Sequence, residues 1–341
     1  MKSIYDKTLE QLEEYFESIG EKKFKARQLY DWLYKKRVTS FDEMTNIKKE
    51  LRTFIASTYT MEPLKILERQ KGDDVVKYLF ELKDGNKIEA VLMLHDYGNS
   101  LCVSSQVGCN MSCTFCESGR LKKVRNLDPS EMVLQIMMIE KDLDLTITHL
   151  VLMGIGEPFD NYDNVMNFVD IINCPYGIGL GSRHITISTC GIIPKIKEFM
   201  HHGKQVNLAI SLHAPNDTLR SKIMPINRAY PLEELMRTVR EYISVTNRRV
   251  TFEYILLRDV NDTEKCALEL CSLLKGMNCY VNLIPYNETS HIMYKKSEKD
   301  QIMKFYDVLK KYHIQVTIRK EFGTKVSAAC GQLRSNYEEG A

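Results

Sequence analysis

Three thiols, Cys109, Cys113 and Cys116, stand in the run Cys-Asn-Met-Ser-Cys-Thr-Phe-Cys, close enough along the chain to share one metal centre. As thiolates they are soft ligands suited to zinc or to iron. A closed structural zinc takes four ligands, and a carrier iron–sulfur cluster normally takes four cysteines. A cluster held by three leaves one iron open, and an open iron can bind a substrate-like ligand as a catalytic metal does. A zinc site that borrows Cys102 or a distant His is a second reading of the same residues. A redox pair inside the run is a poorer one, because no Cys-x2-Cys stands apart from the third thiol. Cys330 stands alone near the end of the chain.

Other chemistry-bearing groups recur where strands should end. Met153-Gly154-Ile155-Gly156-Glu157-Pro158 has glycines that let backbone approach a ligand, although a tight turn between strand and helix would use them too. Ile187-Ser188-Thr189, Ser211-Leu212-His213 and Pro285-Tyr286-Asn287 each offer hydroxyl, imidazole or amide groups for hydrogen bonding. Any one of these could be a helix cap. Together they share one register, after the second, third, fourth and sixth strands of the series.

The elements that must position them follow from periodicity. Residues 8–19 predict a helix opened by Thr8 and Gln11 as a capping box and stopped at Gly20. Phe24–Arg37 and Phe41–Ala56 predict two more, the last with Ser40 and Glu43 as its capping pair. Val75–Leu82 and Lys87–Met93 read as strands of a hairpin turning at Asp84-Gly85. From there, apolar β-branched runs near 100–105, 147–153, 183–188, 206–212, 249–256, 279–285 and 314–319 alternate with helical patterns such as Pro129–Lys141, Leu232–Val245, Asp262–Lys275 and Lys299–Tyr312. That alternation implies parallel strands in about six β/α units, a barrel or partial barrel with a last strand attached.

Composition bounds the rest. Hydrophobic residues at 44% and charged residues at 27% are ordinary for a folded globular chain. No apolar run reaches the ~18 residues a membrane span needs, so no membrane association is expected and a cytoplasmic setting fits the thiol-rich chain. Lys plus Arg number 47 against 45 Asp plus Glu, so a nucleic-acid site must be local. Lys22, Lys23, Lys25, Arg27, Lys35, Lys36 and Arg37, interleaved with Tyr30, Trp32 and Tyr34, are one candidate, with Arg120, Lys122, Lys123 and Arg125 a second. A solvated helix face is the plainer reading of the first group.

The cysteine spacing, with an aromatic before the last Cys, resembles the signature of the radical S-adenosylmethionine (SAM) superfamily, in which SAM chelates the open iron of a 4Fe-4S cluster. Further runs narrow the resemblance: Leu101–Cys109, Gly156-Glu157-Pro158, Ser211–Asn216, Met224-Pro225-Ile226-Asn227 and Ala328-Ala329-Cys330-Gly331-Gln332-Leu333 resemble the RlmN/Cfr family of RNA adenosine methyltransferases. The resemblance covers nearly the whole chain. It implies an α/β fold: a partial (β/α)6 radical SAM barrel over residues 99–341, an RNA-binding helical accessory domain over 1–60 and a linking β-hairpin over 61–98.

It also implies methylation of an unreactive sp2 carbon of adenine with two SAM molecules per turnover. One methylates Cys330; the second is cleaved at the cluster on Cys109, Cys113 and Cys116 to a 5′-deoxyadenosyl radical that takes hydrogen from that methyl group. The methylene radical adds to the base, Glu89 accepts the ring proton, and Cys102 releases the product by forming a disulfide with Cys330. Burial raising the Glu89 carboxyl toward neutrality would suit that task, whereas the residue read by itself is an exposed strand glutamate opposite Lys87. Gly156, Glu157, Ser188, Ser211, Leu212, His213 and Asn287 match the family's SAM contacts. The implied substrates are 23S rRNA at adenosine 2503 and tRNA at adenosine 37, with flavodoxin or ferredoxin as electron donor and a monomer as the working form.

Val107 and the run His213-Ala-Pro-Asn-Asp217 look more like the C2-methylating branch than the C8-methylating, antibiotic-resistance branch. Two positions depart from the family pattern: Glu117 after Cys116, where a carboxylate would lower a cluster's reduction potential, and Glu288 after Asn287, where proline is expected. A non-catalytic RNA-binding protein braced by a metal is the reading from another class, and the two thiols outside the cluster argue against it.

Overall fold

The computed structural model describes residues 1–289, 291–319 and 334, so Cys330 and its neighbours lie outside the described residues. Its centre is a ten-stranded sheet whose strands follow one another in chain order: β1 (Lys65–Lys71), β2 (Val75–Glu81), β3 (Lys87–His95), β4 (Gly98–Cys102), β5 (His149–Leu152), β6 (Ile185–Thr189), β7 (Asn207–Ser211), β8 (Val250–Leu256), β9 (Cys279–Pro285) and β10 (Val316–Ile318). β1 to β4 pair antiparallel, and β4 to β10 pair parallel. Parallel pairing requires a crossover after each strand, and helices supply it: α4 (Pro129–Leu143), α5 (Tyr162–Asn173), α6 (Ile193–Met200), α7 (Leu232–Thr246), α8 (Glu264–Leu274) and α9 (Lys299–Lys311). These six β/α units bear out the partial barrel, with β10 as the added strand.

The hairpin is larger than the sequence indicates, because β3 pairs with β4 as well as β2 and so continues the barrel sheet. Periodicity missed β1, whose Lys, Glu, Arg and Gln side chains suit an edge strand facing solvent. The helix expected over Phe41–Ala56 splits. The Ser40–Glu43 capping box closes only one 3-10 turn, Phe41–Glu43, and α3 spans Lys49–Thr58. Between them Asn46 Oδ1 accepts the Trp32 indole N–H at 2.5 Å, which holds the linker out of helical register.

α1 (Leu9–Ser18) carries the expected Thr8–Gln11 capping box, with both reciprocal bonds at 3.2 Å. It packs on α2 (Lys23–Asp31), and their buried Leu12, Phe16, Leu29 and Tyr30 belong to the same apolar core as the barrel strands. Two polar ties reinforce that union: Ser130 N–H at the start of α4 donates to Asp6 Oδ1 at 3.0 Å, and Arg37 pairs with Glu140 of α4. Glu140 is 3% exposed and also accepts the Ile147 N–H at 2.7 Å. Removing a cation from a buried carboxylate leaves that charge undersolvated. Arg37→Met should therefore lower the unfolding free energy by about 1–3 kcal/mol, less than a fully buried pair because Arg37 is partly exposed. Urea titration against wild type measures it.

Candidate active site

At the C-terminal ends of the parallel strands lies a cavity of about 300 Å3. Cys109, Cys113, Cys116, Gly156, Glu157, Ser188, Ser211, His213 and Asn287 all line it. Leu212 does not: its side chain is fully buried in the core, and its carbonyl instead receives the Arg220 guanidinium at 3.1 Å. Cys102 and Glu89 stand behind the wall. Cys102 packs with Val75 and Met93, both of which face the cavity.

The cysteine loop is folded back on itself. Gly108 has φ +77°, and a Cβ there would strike the Lys122 carbonyl, so only glycine lets the chain turn so tightly before Cys109. Cys109 N–H then donates to Leu121 O at 3.0 Å, and Thr114 N–H docks the loop on Ile223 O at 3.0 Å. Gly156, at φ +114°, approaches Gln106 in the same way, so the space its missing side chain leaves is taken by protein. Burial pushes the Cys109 thiol up to about 12 and Cys113 well above its ordinary value, and the neighbouring thiols raise both further. Such thiols ionise only against a bound cation, so the donor set fits a metal centre. Among the described residues no three His, Cys, Asp or Glu side chains gather as they would around a single ion. The three thiols instead face a cavity with room for a larger group, which fits an iron–sulfur cluster better than zinc.

Around them the polar groups are held by backbone. Glu157, buried, accepts from Phe159 N–H at 3.0 Å and Cys190 N–H at 2.7 Å, while its own N–H donates to Gln106 Oε1 at 2.9 Å. Burial holds its carboxyl above the usual range, and the two accepted bonds oppose that rise. His213 Nδ1 accepts the Ile255 N–H at 3.0 Å, which places the ring proton on Nε2. Burial, with the charge of Arg220, lowers its pKa to about 3, so the ring is neutral. Phe115, the aromatic of the cysteine run, meets it edge to face at 5.0 Å.

Glu89 is buried rather than exposed, and its partner is Lys77 at 3.0 Å, not Lys87. Its second oxygen accepts the Arg334 N–H at 2.5 Å. Lys77 lines the cavity, so the pair spans the wall. Glu117 also lines it: Oε2 meets Arg120 at 3.2 Å, while Oε1 and the adjacent Ser118 hydroxyl are buried with no hydrogen-bond partner among the described residues. Glu288 lies at the surface, paired with Lys295 at 3.0 Å.

Sequence reasoning missed Cys190, Glu253, Lys77 and Arg319, all of which line the cavity. Cys190 directly follows β6, a position that signals a site; nothing in the pattern marked Lys77. The basic stretch is corrected in one respect: Tyr30 and Tyr34 are buried core, not stacking surfaces, and Lys36 sits 3.5 Å from the centre of the Trp32 ring.

Comparison with known proteins agrees with this arrangement. Residues 2–60 match the ribosomal RNA large subunit methyltransferase N-terminal domain (RlmN_N), and residues 103–271 match the radical SAM superfamily. The chain is 55% identical over 342 residues to a probable dual-specificity RNA methyltransferase RlmN of Spiroplasma citri, covering 99% of both chains. It is 56% identical to the protein so named in Enterococcus faecalis, covering 98% of this chain and 96% of that one. The chain belongs to the RlmN family. It is a radical SAM RNA methyltransferase. A solved radical SAM methyltransferase from Sphaerobacter thermophilus superposes with a TM-score of 0.91 at 40% identity, covering 97% of this chain and 99% of that one. No helix among the described residues of this RlmN-family chain is long and apolar enough to cross a membrane.

The His213 environment has a consequence for acid stability. Unfolded, the imidazole titrates near its ordinary value of about 6.5, whereas in the fold it stays neutral to about 3. The unfolded chain therefore binds the proton first, and the stability His213 contributes, complete above about 6.5, is lost as pH falls toward about 3. His213→Gln, which keeps an acceptor for Ile255 N–H, should flatten the fall in urea midpoint between neutral pH and about pH 5.

Proposed function

We propose that this enzyme methylates C2 of adenosine, at 2503 of 23S rRNA and at 37 of tRNA, through a methylcysteine on Cys330. The observation that carries the reading is the meeting, at one cavity, of three thiols on a strand-end loop with the polar ends of four further strands, backed by Cys102 and Glu89. The dual specificity printed in the relatives' names supports two classes of RNA. Cys109, Cys113 and Cys116 would hold the 4Fe-4S cluster, and Gly156, Glu157, Ser188, Ser211, His213 and Asn287 would surround SAM. Together, when bound and supplied with an electron from a flavodoxin- or ferredoxin-like donor, those groups provide a strong hydrogen-abstracting agent.

The rest falls to the chain. Cys330 carries the methyl group, which gives up one hydrogen atom and then forms a carbon–carbon bond to C2 of the base, leaving an adduct radical. Glu89 takes the displaced ring proton, with the Lys77 ammonium 3.0 Å from its carboxylate. The adduct passes its one unpaired electron to an oxidised electron-transfer partner of the flavodoxin or ferredoxin class. The Cys102 thiolate then attacks the Cys330 sulfur, the sulfur–carbon bond breaks, the freed carbon takes a proton to complete the methyl group, and the two protein sulfurs remain joined as a disulfide. A reductant must reopen that disulfide before the next cycle, and a second SAM molecule remethylates Cys330. The setting is the cytoplasm, where such reductants are at hand.

Mass spectrometry of digested rRNA decides the regiochemistry: 2-methyladenosine is expected, and 8-methyladenosine would assign the enzyme to the other branch. Cys113→Ala should lose bound iron and SAM cleavage together. Cys330→Ala should keep the cluster but form neither product nor adduct, whereas Cys102→Ala should accumulate protein crosslinked to RNA on a denaturing gel. Normal turnover by either isolated-thiol variant would refute the covalent route.

A further inference from the structure

Lys77 is a charged residue that the hairpin turns inward. In the ladder of β2, β3 and β4 it lies directly across from Val91, and Cys102 lies across from the same Val91 on the other side. Facing pairs share a face of a sheet, and so do residues two apart along a strand. Val75, Lys77, Glu89, Val91, Met93 and Cys102 therefore stand on one side of the hairpin, and of these Val75, Lys77, Val91 and Met93 line the cavity. Lys77 is 1% exposed, and its ammonium meets Glu89 Oε2 at 3.0 Å. A molecule that enters on the hairpin side thus meets the cation before it meets the carboxylate.

Taking an ammonium and a carboxylate out of water is costly, and apolar residues of like volume would hold such a wall together at least as well. A side chain with three N–H donors on a rotatable stem can serve Glu89 and a ligand at the same time. The ligand chemistry follows from what Glu89 must reach. Carbon C2 of adenine is bonded to two ring nitrogens, each with a lone pair in the plane of the ring. The edge that offers C2–H to an acceptor therefore offers a hydrogen-bond acceptor immediately beside it. The Glu89–Lys77 pair presents the complementary order, an acceptor and a donor 3.0 Å apart.

We propose that the Lys77 ammonium donates a hydrogen bond to one of the two ring nitrogens that flank C2 of the target adenine, which makes Lys77 a catalytic residue as well as the partner of Glu89. This rests on the reading that the enzyme methylates C2 with Glu89 as the proton acceptor. The contact holds C2 toward the pair, and it draws electron density out of the ring. A carbon radical attached to sulfur is electron-rich and adds fastest to an electron-poor ring. Its addition at C2 moves electron density onto the flanking nitrogens, where a fixed positive charge stabilises it. The proton stays on Lys77 throughout.

The test uses RNA substrates whose target adenosine is replaced by 1-deazaadenosine or 3-deazaadenosine, each lacking one of the two nitrogens, in single-turnover methylation by cluster-reconstituted, full-length enzyme. Lys77→Met should slow methylation of the adenosine substrate by about 100-fold, the usual loss for one donor aimed at developing charge. On the analogue without the contacted nitrogen, wild type and variant should differ by no more than about threefold, because the partner of the deleted group is already gone. On the other analogue the large difference should remain. Iron content and circular dichroism report whether the variant folds. Where it does not, binding to wild type alone decides: RNA with adenosine should bind at least about fivefold more tightly than RNA with one of the two analogues. The same ratio of wild-type to variant rates on all three substrates, or in the second case equal binding of all three RNAs, overturns the assignment and leaves Lys77 as a counter-charge for Glu89. A wild type whose product is 8-methyladenosine would instead overturn the reading of the reaction.

Discussion

The guanidinium of Arg220 holds the mouth of the barrel together. Arg220 is fully buried, and its donors reach Leu212 O at 3.1 Å, Ser211 O at 3.2 Å, Cys190 O at 2.7 Å and Asn227 Oδ1 at 2.9 Å. Loops at strand ends leave carbonyls that the sheet no longer pairs, and a planar group with five donors can satisfy several at once. The short helix Asp217–Ile223 that carries Arg220 ends at Ile223, whose carbonyl takes Thr114 N–H of the cysteine loop. One side chain therefore fixes the ends of β6 and β7 relative to each other, and its helix fixes the thiols relative to both.

That rigidity explains the protonation states around the cavity. With Arg220 supplying a buried positive charge nearby, a neutral His213 is the form that adds no second one. Glu157 sits between backbone donors, so it stays fixed without a side-chain cation. Glu89 is the contrast. It is matched by a buried ammonium, Lys77, a pairing that costs desolvation of two ions and is kept where the charge itself is useful.

What the sequence showed and what it hid divide along a physical line. Parallel strands buried on both faces read as apolar runs, so β5 to β9 and the loops after them were legible, and with them Gly156, Glu157, Ser188, Ser211, His213 and Asn287 of the cavity wall. β1 was hidden because an edge strand needs no apolar pattern. Lys77 and Glu253 were hidden because a charged residue inside a strand reads as solvent-facing until its cross-strand partners are known. Leu212 was placed among ligand contacts by its neighbours in the motif, while alternation along β7 turns its side chain into the core.

The charged surface shows the same limit. Lys23 pairs with Glu17, Lys25 with Glu21, Arg27 with Glu13, and Lys35 and Lys36 with Asp31. Beside the cysteine loop, Lys123 meets Asp160 and Arg125 meets both Asp84 and Glu131. The exposed pairs among these, such as Lys23–Glu17 and Lys35–Asp31, contribute about 0–1 kcal/mol each, so a phosphate can displace their carboxylate at little cost, whereas the bidentate, partly buried Arg125–Glu131 pair is held more firmly. The carboxylates stay nearby, however, and repel the same backbone. Each such exchange releases fewer counterions from the RNA, net, than an unopposed cation would, so the salt dependence of RNA binding should be shallower than a count of Lys and Arg implies. With that electrostatic contribution blunted, discrimination between RNAs falls more heavily on shape and on the groups that line the cavity.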